Sequence, residues 1–422
     1  MLLRKGAKLP LFRGSLLGDT AMSRSLRRRT VLATGSAVLA APMIGRAQAP
    51  SVNVGVILPL SGANAQFGVN SRNAIELVAD EVNAAGGIAA LGGAKVNLIV
   101  ADSTSTPTTA GTVAQRIIAQ NSVVAILGAF ASSLTLAVSE VTERRGIPLL
   151  TMSFSDQVTG RGFQNIFQVV SKASTLGRAQ FDGTVAIAKA AGETIERAAI
   201  LYEDTAYGTS QAQGLREAAK AAGVAVPLDE GYPLGITDAT PLVAKLRASG
   251  AQVVFPVSYL NDSLLIIRSM RQQGLDLPAI GGAAGYVIPD FQRGLGVFAE
   301  GVLSIAPANY DQAPELTERF RKRFGYFMVH EAIEHAVLLD TLVRAIGVAG
   351  SAAPAAIRDA LRATSFTEGW SQAMSAAGVK FDDTGLNTRA VPVMVQWRGT
   401  ELVTVWPETL AKAPAVWRSR AK

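Results

Sequence analysis

The chain has 422 residues, 49 % of them hydrophobic and 17 % charged, which is enough apolar material for two or three domains and excludes a disordered chain. The formal charge of +7 suggests a nucleic-acid-binding protein until the charges are located. Residues 1–49 hold nine basic side chains and one acidic one, so the totals of 40 and 33 leave 31 basic and 32 acidic residues elsewhere. A nearly neutral body has no basic stripe for a phosphate backbone, and we expect no nucleic-acid partner.

The basic N-terminus has the pattern of an export signal. The three arginines of Arg27–Arg29 precede a mildly apolar stretch, Val31–Ile44, and then Ala47-Gln48-Ala49, whose small-x-small form is typical of a signal-peptidase site. We therefore assign residues 1–49 to a twin-arginine export signal, with Met22 as an alternative start, and expect the mature chain in the periplasm. The apolar stretch is too short to remain as a membrane span, and no later run of about 18 apolar residues follows.

From residue 52 onward, short apolar runs alternate with segments of helical periodicity. In the first half these are, in chain order, strand Val52–Leu60, helix Asn70–Ala84, strand Lys95–Ala101, helix Thr108–Ala119, strand Val123–Leu127, helix Leu134–Arg144, strand Pro148–Met152 and strand Ile166–Val170. Strands that alternate with helices of about 10–15 residues are typical of parallel βαβ units. The first half therefore predicts an open, doubly wound α/β sheet.

The same alternation restarts after residue 170. The predicted elements are helix Thr175–Ala191, strand Ala198–Tyr202, helix Ser210–Ala222, strand Ala225–Leu228, helix Thr240–Ser249, strand Gln252–Val257, helix Asp262–Gln273, strand Ala279–Gly281 and strand Val302–Ala306. Three helices and a hairpin complete the chain, namely Pro314–Phe324, Val329–Val348, Ala353–Ala363, and strands Val391–Trp397 and Glu401–Val405. We therefore expect a second doubly wound α/β unit.

Five polar loops follow predicted strands of the two units. They are residues 60–68, 128–133, 153–157, 203–208 and 258–262, and they carry hydroxyl, amide and aromatic side chains. Ligands of open α/β sheets bind outside the carboxyl ends of the strands, so these loops predict a shared site for a small polar molecule. Ordinary helix capping by the serines and simple packing of the tyrosines are the structural alternatives.

From about residue 50 to the end, the chain resembles the branched-chain amino-acid-binding family of periplasmic proteins. The resemblance rests on four segments in a set order and spacing: Val54–Gly62, Val82–Ile88, Glu203–Gly208 and Ala251–Phe255. Phe381–Gly385, before the last strands, also resembles the family. It implies a type I periplasmic binding fold of two α/β lobes. It also implies a substrate-binding protein of an ABC transporter, whose partners are an inner-membrane permease and cytoplasmic ATPases.

The resemblance also implies ligand contacts in the first lobe. Phe67 stands where the family places an aromatic ring against the side chain of the ligand. Ser133, or its neighbour Ser132, matches a hydroxyl that binds a ligand carboxylate. Ser155 and Gln157 match a loop that adds backbone and side-chain contacts.

In the second lobe, Tyr207 matches an aromatic residue that closes over the ligand, and Tyr259 lies in a loop that supplies another contact. One position departs from the family. Amino-acid binders often carry an acid where this chain has Ala284, and a buried ammonium without a counter-charge is costly. Either Asp204 or Asp262 takes that role, or the ligand has no ammonium. Carboxylates, aromatic acids and amides therefore remain open beside amino acids.

The resemblance further implies how the lobes are assembled. The first lobe is expected to combine residues 51–168 with 306–384, and the second to combine 169–305 with 385–408. Three crossings would form the hinge, and residues 409–422 would be a C-terminal tail. We expect a monomer whose lobes close on the ligand.

Other chemistries find little support. The chain has no cysteine, which excludes disulfides, a lipid-anchored cysteine and thiolate catalysis. The segment His330–His335 resembles a zinc-protease motif, but its histidines are five residues apart and would stand about 140° apart on a helix. We therefore interpret it as a solvated helix face and expect no metal and no cofactor.

Two other functions remain as alternatives to transport. The same fold serves as a ligand sensor for a separate signalling partner, although this sequence has no recognisable output domain. An amidase-like hydrolase is the more remote alternative, because it needs an activated nucleophile, and the chain has no cysteine and only two histidines.

Overall fold

The computed structural model describes residues 50–376 and 378–417, so the signal expected at 1–49 lies outside the described residues. The strands are β1 (Ser51–Leu58), β2 (Lys95–Asp102), β3 (Ala125–Gly128), β4 (Leu149–Thr151), β5 (Ile166–Gln168), β6 (Arg197–Glu203), β7 (Ala225–Tyr232), β8 (Val253–Val257), β9 (Ile280–Gly281), β10 (Leu303–Ala306), β11 (Ser365–Phe366), β12 (Val379–Lys380), β13 (Val393–Arg398) and β14 (Glu401–Trp406).

The helices alternate with these strands through most of the chain. They are α1 (Ala65–Ala84), α2 (Pro107–Asn121), α3 (Ser132–Arg145), α4 (Gln157–Gly160), α5 (Ala173–Ala190), α6 (Ala206–Ala221), α7 (Thr240–Ser249), α8 (Leu260–Gln272), α9 (Pro289–Leu295), α10 (Pro314–Phe324), α11 (His330–Ala349) and α12 (Pro354–Ala363). The predicted α/β class is therefore confirmed, and α7 and α10 have the predicted bounds.

The first sheet is parallel, with strand order β2-β1-β3-β4-β5. The connection from β1 to β2 runs in one direction along the sheet and that from β2 to β3 in the other, so right-handed crossovers place α1 and α2 on opposite faces. Helix α1 packs against α11, and α2 packs against α3. Apolar residues such as Val54, Ile57 and Leu127 are fully buried between these helical layers.

The second sheet is built from β7-β6-β8 and β9-β10-β13-β14. A parallel bridge between Val254 and Ala279 connects the two groups. β13 runs antiparallel to both β10 and β14, and its hairpin turns between Arg398 and Glu401 as predicted. Helix α5 packs against α6, and Ile200 and Phe255 are among the buried residues of this layer.

The chain passes between the two sheets three times: after β5, after β10 and before β13. The first and third passages run side by side. The Gln168 backbone N–H donates to the Gly385 carbonyl at 2.8 Å, and the Asn387 backbone N–H donates to the Gln168 carbonyl at 2.9 Å. The parallel passages bring the carboxyl ends of the strands of both sheets toward one region. The exact lobe boundaries proposed above stay a prediction.

Two local differences from the predicted elements have physical reasons. α1 begins at Ala65, five residues before the predicted start at Asn70. The loop before it is short because Asp102 accepts hydrogen bonds from the backbone N–H groups of Leu60 and Ser61, and the residues after Gly62 contain no strong helix breaker. The first part of the proposed tail is held against the second sheet. The Val416 backbone N–H donates to the Gln396 side chain of β13, and the Val416 carbonyl accepts a hydrogen bond from the same side chain.

Candidate functional site

Five aromatic side chains meet between the carboxyl ends of the two sheets, and we call them the aromatic cluster: Phe67, Phe130 and Phe154 from the first sheet, and Tyr207 and Tyr259 from the second. Phe67 stacks on Phe130 with 4.5 Å between ring centroids, and Tyr259 lies 6.3 Å and 6.0 Å from these two rings. Tyr207 lies 5.7 Å from Phe154 and 5.5 Å from Tyr259. The predicted convergence of Phe67, Tyr207 and Tyr259 is therefore present.

Hydroxyl groups join the same two edges. The Ser132 backbone N–H at the start of α3 stands beside the Tyr259 hydroxyl and partly opposes the rise that burial causes in the pKa of Tyr259. The hydroxyls of Ser155 and Ser210 lie 3.1 Å apart, one on each side. The Ser132 hydroxyl accepts from the Ser155 backbone N–H at 3.1 Å and fixes the two first-sheet loops to each other. The edges are thus in direct polar contact.

Tyr207 is held in place by its own loop and by the loop that contains Gly282. Its hydroxyl donates to the Gly282 carbonyl, two residues before Ala284. The buried Glu203 carboxylate accepts from the backbone N–H groups of Thr205 and Gly208, both at 2.7 Å. Gly208 is required here, because a Cβ atom would lie 2.1 Å from the Glu203 carbonyl oxygen. The motif at residues 203–208 therefore positions Tyr207.

Burial controls the ionisation of these groups. It raises the pKa of the Tyr207 and Tyr259 hydroxyls well above their ordinary value, so both stay protonated and can donate hydrogen bonds. Burial also raises the pKa of the Glu203 carboxyl, although the hydrogen bonds from Thr205 and Gly208 oppose this rise. The cluster therefore holds two uncharged tyrosine hydroxyls between walls of aromatic rings: Tyr207 donates to the Gly282 carbonyl, and the proton of Tyr259 can serve a ligand.

Not every predicted contact residue lies in this cluster. Ser133 is half-buried beside Ser132, whereas Gln157 is exposed at the start of α4. Asp204 is exposed, and its backbone N–H donates a hydrogen bond to the Tyr232 carbonyl.

Asp262 was the other candidate counter-charge for a ligand ammonium. It is buried in the first turn of α8, where one carboxylate oxygen accepts the Gly235 backbone N–H at 3.0 Å. That bond, with one from Ile236, holds a loop of the second sheet. Asp262 thus bonds within its own layer through one oxygen, while its other oxygen, Oδ1, is buried without a hydrogen-bond partner in the described part of the chain, and Asp204 is exposed.

The backbone has unusual conformations on both sides of the cluster. Phe130, Ala283 and Ala284 have φ values of 69°, 70° and 35°, in the left-handed region that residues with a Cβ atom seldom adopt. Ala284 is buried in a short 3₁₀ turn through Tyr286. Strained positions of this kind concentrate at ligand sites, which agrees with the position of both loops.

The interpretation of His330–His335 as a solvated helix face is wrong. His330, Glu331, Glu334 and His335, which we call the His330 cluster, are all buried. Fifteen of the twenty residues of α11 are buried, because this helix lies between α1, α12 and the first sheet and is apolar on nearly every side. Its charged residues are therefore carried into the interior.

The His330 cluster is adjacent to the aromatic cluster. The His330 ring lies 6.2 Å from the Phe154 ring. Asn70, one turn after Phe67 in α1, donates its side-chain N–H to Glu331 Oε1 at 2.8 Å. His330 Nδ1 lies 3.2 Å from Glu334 Oε2, and His330 Nε2 lies 3.5 Å from Glu331 Oε2.

The ionisation of the His330 cluster is governed by desolvation. Burial raises the pKa of Glu331 to about 7, raises that of Glu334 well above its ordinary value, and lowers that of His335 to about 4. Burial also lowers the pKa of His330, against the attraction of Glu331. Among residues 50–376 and 378–417, no three His, Cys, Asp or Glu side chains are arranged to hold a metal ion.

No single helix within the described ranges is both long and apolar enough to cross a membrane. Helices α11 and α12 reach that length and composition only as a pair, bent by 104°.

Comparisons with known proteins agree with the motifs and the geometry. A family model described as periplasmic binding protein matches residues 51–400. Leu/Ile/Val-binding protein homolog 8 of Brucella melitensis is 35 % identical over 376 residues, which cover 86 % of this chain and 92 % of the relative.

Two solved structures show the same fold. A leucine-binding protein from Thermotoga maritima has a TM-score of 0.74 at 21 % identity and covers 84 % of this chain and 98 % of that one. A solute-binding protein of an ABC transporter from Rhodopseudomonas palustris, in complex with 3,4-dihydroxybenzoic acid, has a TM-score of 0.74 at 20 % identity, with coverages of 87 % and 98 %. The chain therefore belongs to the periplasmic binding protein family and has its type I α/β fold.

Proposed function

We propose that this protein is the solute-binding component of an ABC importer. It captures a small polar ligand between two lobes and delivers it to an inner-membrane permease powered by cytoplasmic ATPases. The observation that carries this proposal is the aromatic cluster, in which rings from the strand ends of both sheets meet around hydroxyl groups. Such a mixture of apolar walls and a few directed polar groups is typical of small-molecule sites.

The contacts across the cluster give a physical basis for closure. Opening would separate Tyr207 and Tyr259 from the phenylalanine rings and Ser155 from Ser210. An aromatic pair contributes roughly 0.5–1.5 kcal/mol and a hydrogen bond about 1 kcal/mol. A few such contacts bias the lobes by only a few kcal/mol, which a ligand with contacts to both sides can overcome or reinforce. We propose that residues 51–168 with 306–384 move against 169–305 with 385–408.

A carboxylate is the ligand group that we propose for the start of α3. The Ser132 backbone N–H stands beside the Tyr259 hydroxyl, and a ligand carboxylate oxygen can accept a hydrogen bond at this backbone donor. The amino terminus of a helix favours a negative charge. One of the similar structures is a leucine-binding protein and another is a complex with 3,4-dihydroxybenzoic acid, and both compounds carry a carboxylate. We propose an amino acid, another carboxylate, an aromatic acid or an amide as ligand.

We propose binding without turnover. The cluster contains hydroxyls and rings, and the Glu203 carboxylate of the Tyr207 loop is engaged by backbone N–H groups of that loop. Selection of one ligand among many requires only non-covalent contacts and a closed cleft. The sensor function would use the same site, and the identity of the partner protein distinguishes it from transport.

The direct test is a thermal-shift screen of amino acids, aromatic acids, dicarboxylates and amides, followed by calorimetry of each hit. A ligand present at 100 times its dissociation constant should stabilise the folded protein by roughly 2.7 kcal/mol. Hits should bind with a stoichiometry of one, and the ligand should be recovered unchanged after long incubation. Recovery of a hydrolysed product would contradict a transport role.

Export is a separate proposal. We propose that residues 1–49 direct the chain to the periplasm and that the mature protein is a monomer. Cell fractionation of the native chain and of a variant with Arg27→Lys and Arg28→Lys would check the signal. The native protein should be periplasmic and the variant retained in the cytoplasm. Size-exclusion chromatography with light scattering would check the monomer.

A further inference from the structure

We propose that the His330 cluster forms the cation-binding end of the ligand site, with the Glu331 carboxylate as the counter-charge for an ammonium group of the ligand. This inference rests on the proposed function and narrows it. The ligand would be a molecule that carries an ammonium together with a carboxylate.

The location of the His330 cluster supports this assignment. The His330 ring packs 6.2 Å from Phe154, whose other neighbour in the aromatic cluster is Tyr207. Glu331 is reached from the other side through Asn70, which lies one turn after Phe67 in α1. The acid and the imidazole therefore lie directly behind the aromatic rings of the first sheet.

Unused hydrogen-bonding capacity points to a ligand. Among the described residues, Glu331 Oε2 and His330 Nε2 are buried without a hydrogen-bond partner. They are 3.5 Å apart, longer than a hydrogen bond, and both side chains are at most 1 % exposed. A buried carboxylate oxygen without a donor is costly, so native structures usually supply one.

The charge of the missing donor follows from the neighbours. The groups that influence the ionisation of Glu331 are His330, Asn70 and Glu334, and no lysine or arginine is among them. A region with two acids and no permanent cation is complementary to a positive group. An ammonium would donate to Glu331 Oε2, and the flanking Phe154 ring would add a cation–π attraction.

This assignment also accounts for the alanine at position 284. The second-sheet loop carries no acid there. Within the residues that the structure describes, Asp262 also has one buried oxygen without a hydrogen-bond partner, but its other oxygen accepts the Gly235 backbone N–H of the same layer. Nor does Asp262 have, among those residues, a contact with the aromatic cluster comparable to that of the His330 ring with Phe154. The counter-charge has instead moved to the first sheet, on α11.

The experiment compares three probes of one carbon skeleton by calorimetry on the full mature chain: L-leucine, 4-methylpentanoate and 3-methylbutylamine. The second probe lacks the ammonium and the third lacks the carboxylate. Arginine, agmatine, benzoate and benzylamine extend the comparison to larger and aromatic skeletons. Each probe is titrated into the native protein, the Glu331→Gln variant and the Asp340→Asn variant.

Asp340→Asn is the matched control. Asp340 is a buried acid on the same helix, nine residues or about 13.5 Å along the axis from Glu331. It pairs with Arg344 at 2.9 Å and accepts the Trp370 backbone N–H at 3.1 Å. Its loss should lower stability without changing affinity.

We expect probes with an ammonium to bind the native protein, and the carboxylate-only probes to bind at least 10-fold more weakly. Glu331→Gln should weaken the ammonium probes by roughly 10- to 100-fold, because a hydrogen bond to a charged group is lost. The control should bind like the native protein. Equal binding of carboxylate-only probes, or unchanged affinity in the folded Glu331→Gln variant, would overturn the inference and leave the transport function intact. Failure of a folded protein to bind any small molecule would remove both.

Discussion

The Glu331→Gln substitution should stabilise the protein against unfolding at pH 8 while it weakens ligand binding. Burial raises the pKa of Glu331 from its ordinary 4.5 to about 7. Between these two values the folded state binds a proton that the unfolded state has lost, so stability falls as the pH rises through this window. Glutamine has the shape of the protonated acid and no titratable proton, so the variant avoids this loss.

The magnitude follows from the same pKa. One pH unit corresponds to about 1.4 kcal/mol, so the rise from 4.5 to about 7 amounts to about 3 kcal/mol of stability lost above pH 7. Burial also raises the pKa of Glu334, so this acid lowers stability in the same direction as the pH rises, whereas the lowered pKa values of His330 and His335 act in the opposite direction. The native protein and the variant share all three groups, so their contributions cancel in the difference between the two proteins. The glutamine oxygen can also keep the Asn70 hydrogen bond.

Urea unfolding at pH 5 and pH 8 would measure the effect. The variant should exceed the native protein by about 3 kcal/mol at pH 8 and by less than about 1 kcal/mol at pH 5. Glu76→Gln serves as control, because the Glu76 side chain is 41 % exposed, and should show a difference under about 0.5 kcal/mol at both pH values. An equal gain for Glu331→Gln at both pH values would refute the reasoning from buried charge.

Tyr207→Phe removes the hydroxyl bond to the Gly282 carbonyl that holds this ring within the second-sheet edge, and it should weaken ligand binding about 5-fold, or about 1 kcal/mol, in calorimetry, with an unchanged far-UV spectrum. Ser155→Cys combined with Ser210→Cys should form a disulfide in a chain without other cysteines, since the two hydroxyl oxygens lie 3.1 Å apart. Oxidation of this variant should slow ligand exchange, and reduction should restore it. Fast ligand exchange in the oxidised form would contradict closure of the lobes. Gly214→Ala should destabilise the protein by about 2 kcal/mol in urea, because its Cβ atom would lie 1.9 Å from a backbone oxygen of α5. Gly347→Ala, in an open part of α11, should instead stabilise it by about 0.5–1 kcal/mol.

The secondary structure was largely predictable because the fold depends on regular patterns. Buried parallel strands produce apolar runs, and amphipathic helices such as Thr240–Ser249 produce a 3.6-residue period. The short elements were missed for the same reason. A helix of one turn, Gln157–Gly160, and a two-residue strand, Ser365–Phe366, are too short to show a period and depend on tertiary contacts.

The site was only partly predictable. The rule that ligands bind at strand ends identified the loops that hold Phe67, Tyr207 and Tyr259. Phe130 and Phe154 lie in the same loops, but sequence alone does not show which aromatic rings point across to the opposite sheet. Their contacts with Tyr259 and Tyr207 depend on how the two layers meet.

The prediction of a solvated helix face at the His330 cluster is wrong because it rests on the charged side chains alone and not on the apolar residues that follow them in α11. The four apolar residues after the cluster, from Ala336 to Leu339, follow each other at 100° and so place an apolar side chain on every side of this part of α11. A helix that is apolar all round lies in the interior, and charged residues on it are buried with it. That pattern was available in the sequence and would have indicated a buried polar group.

The hairpin at the end of the chain has a consequence for biosynthesis. β13 is the partner that covers one side of β10, but it begins only at residue 393, about ninety residues later. A ribosome-bound nascent chain therefore exposes the unpaired edge of β10 until translation is almost finished. A premature stop codon upstream of this hairpin would release an aggregation-prone fragment with an open sheet edge, not a shorter folded protein.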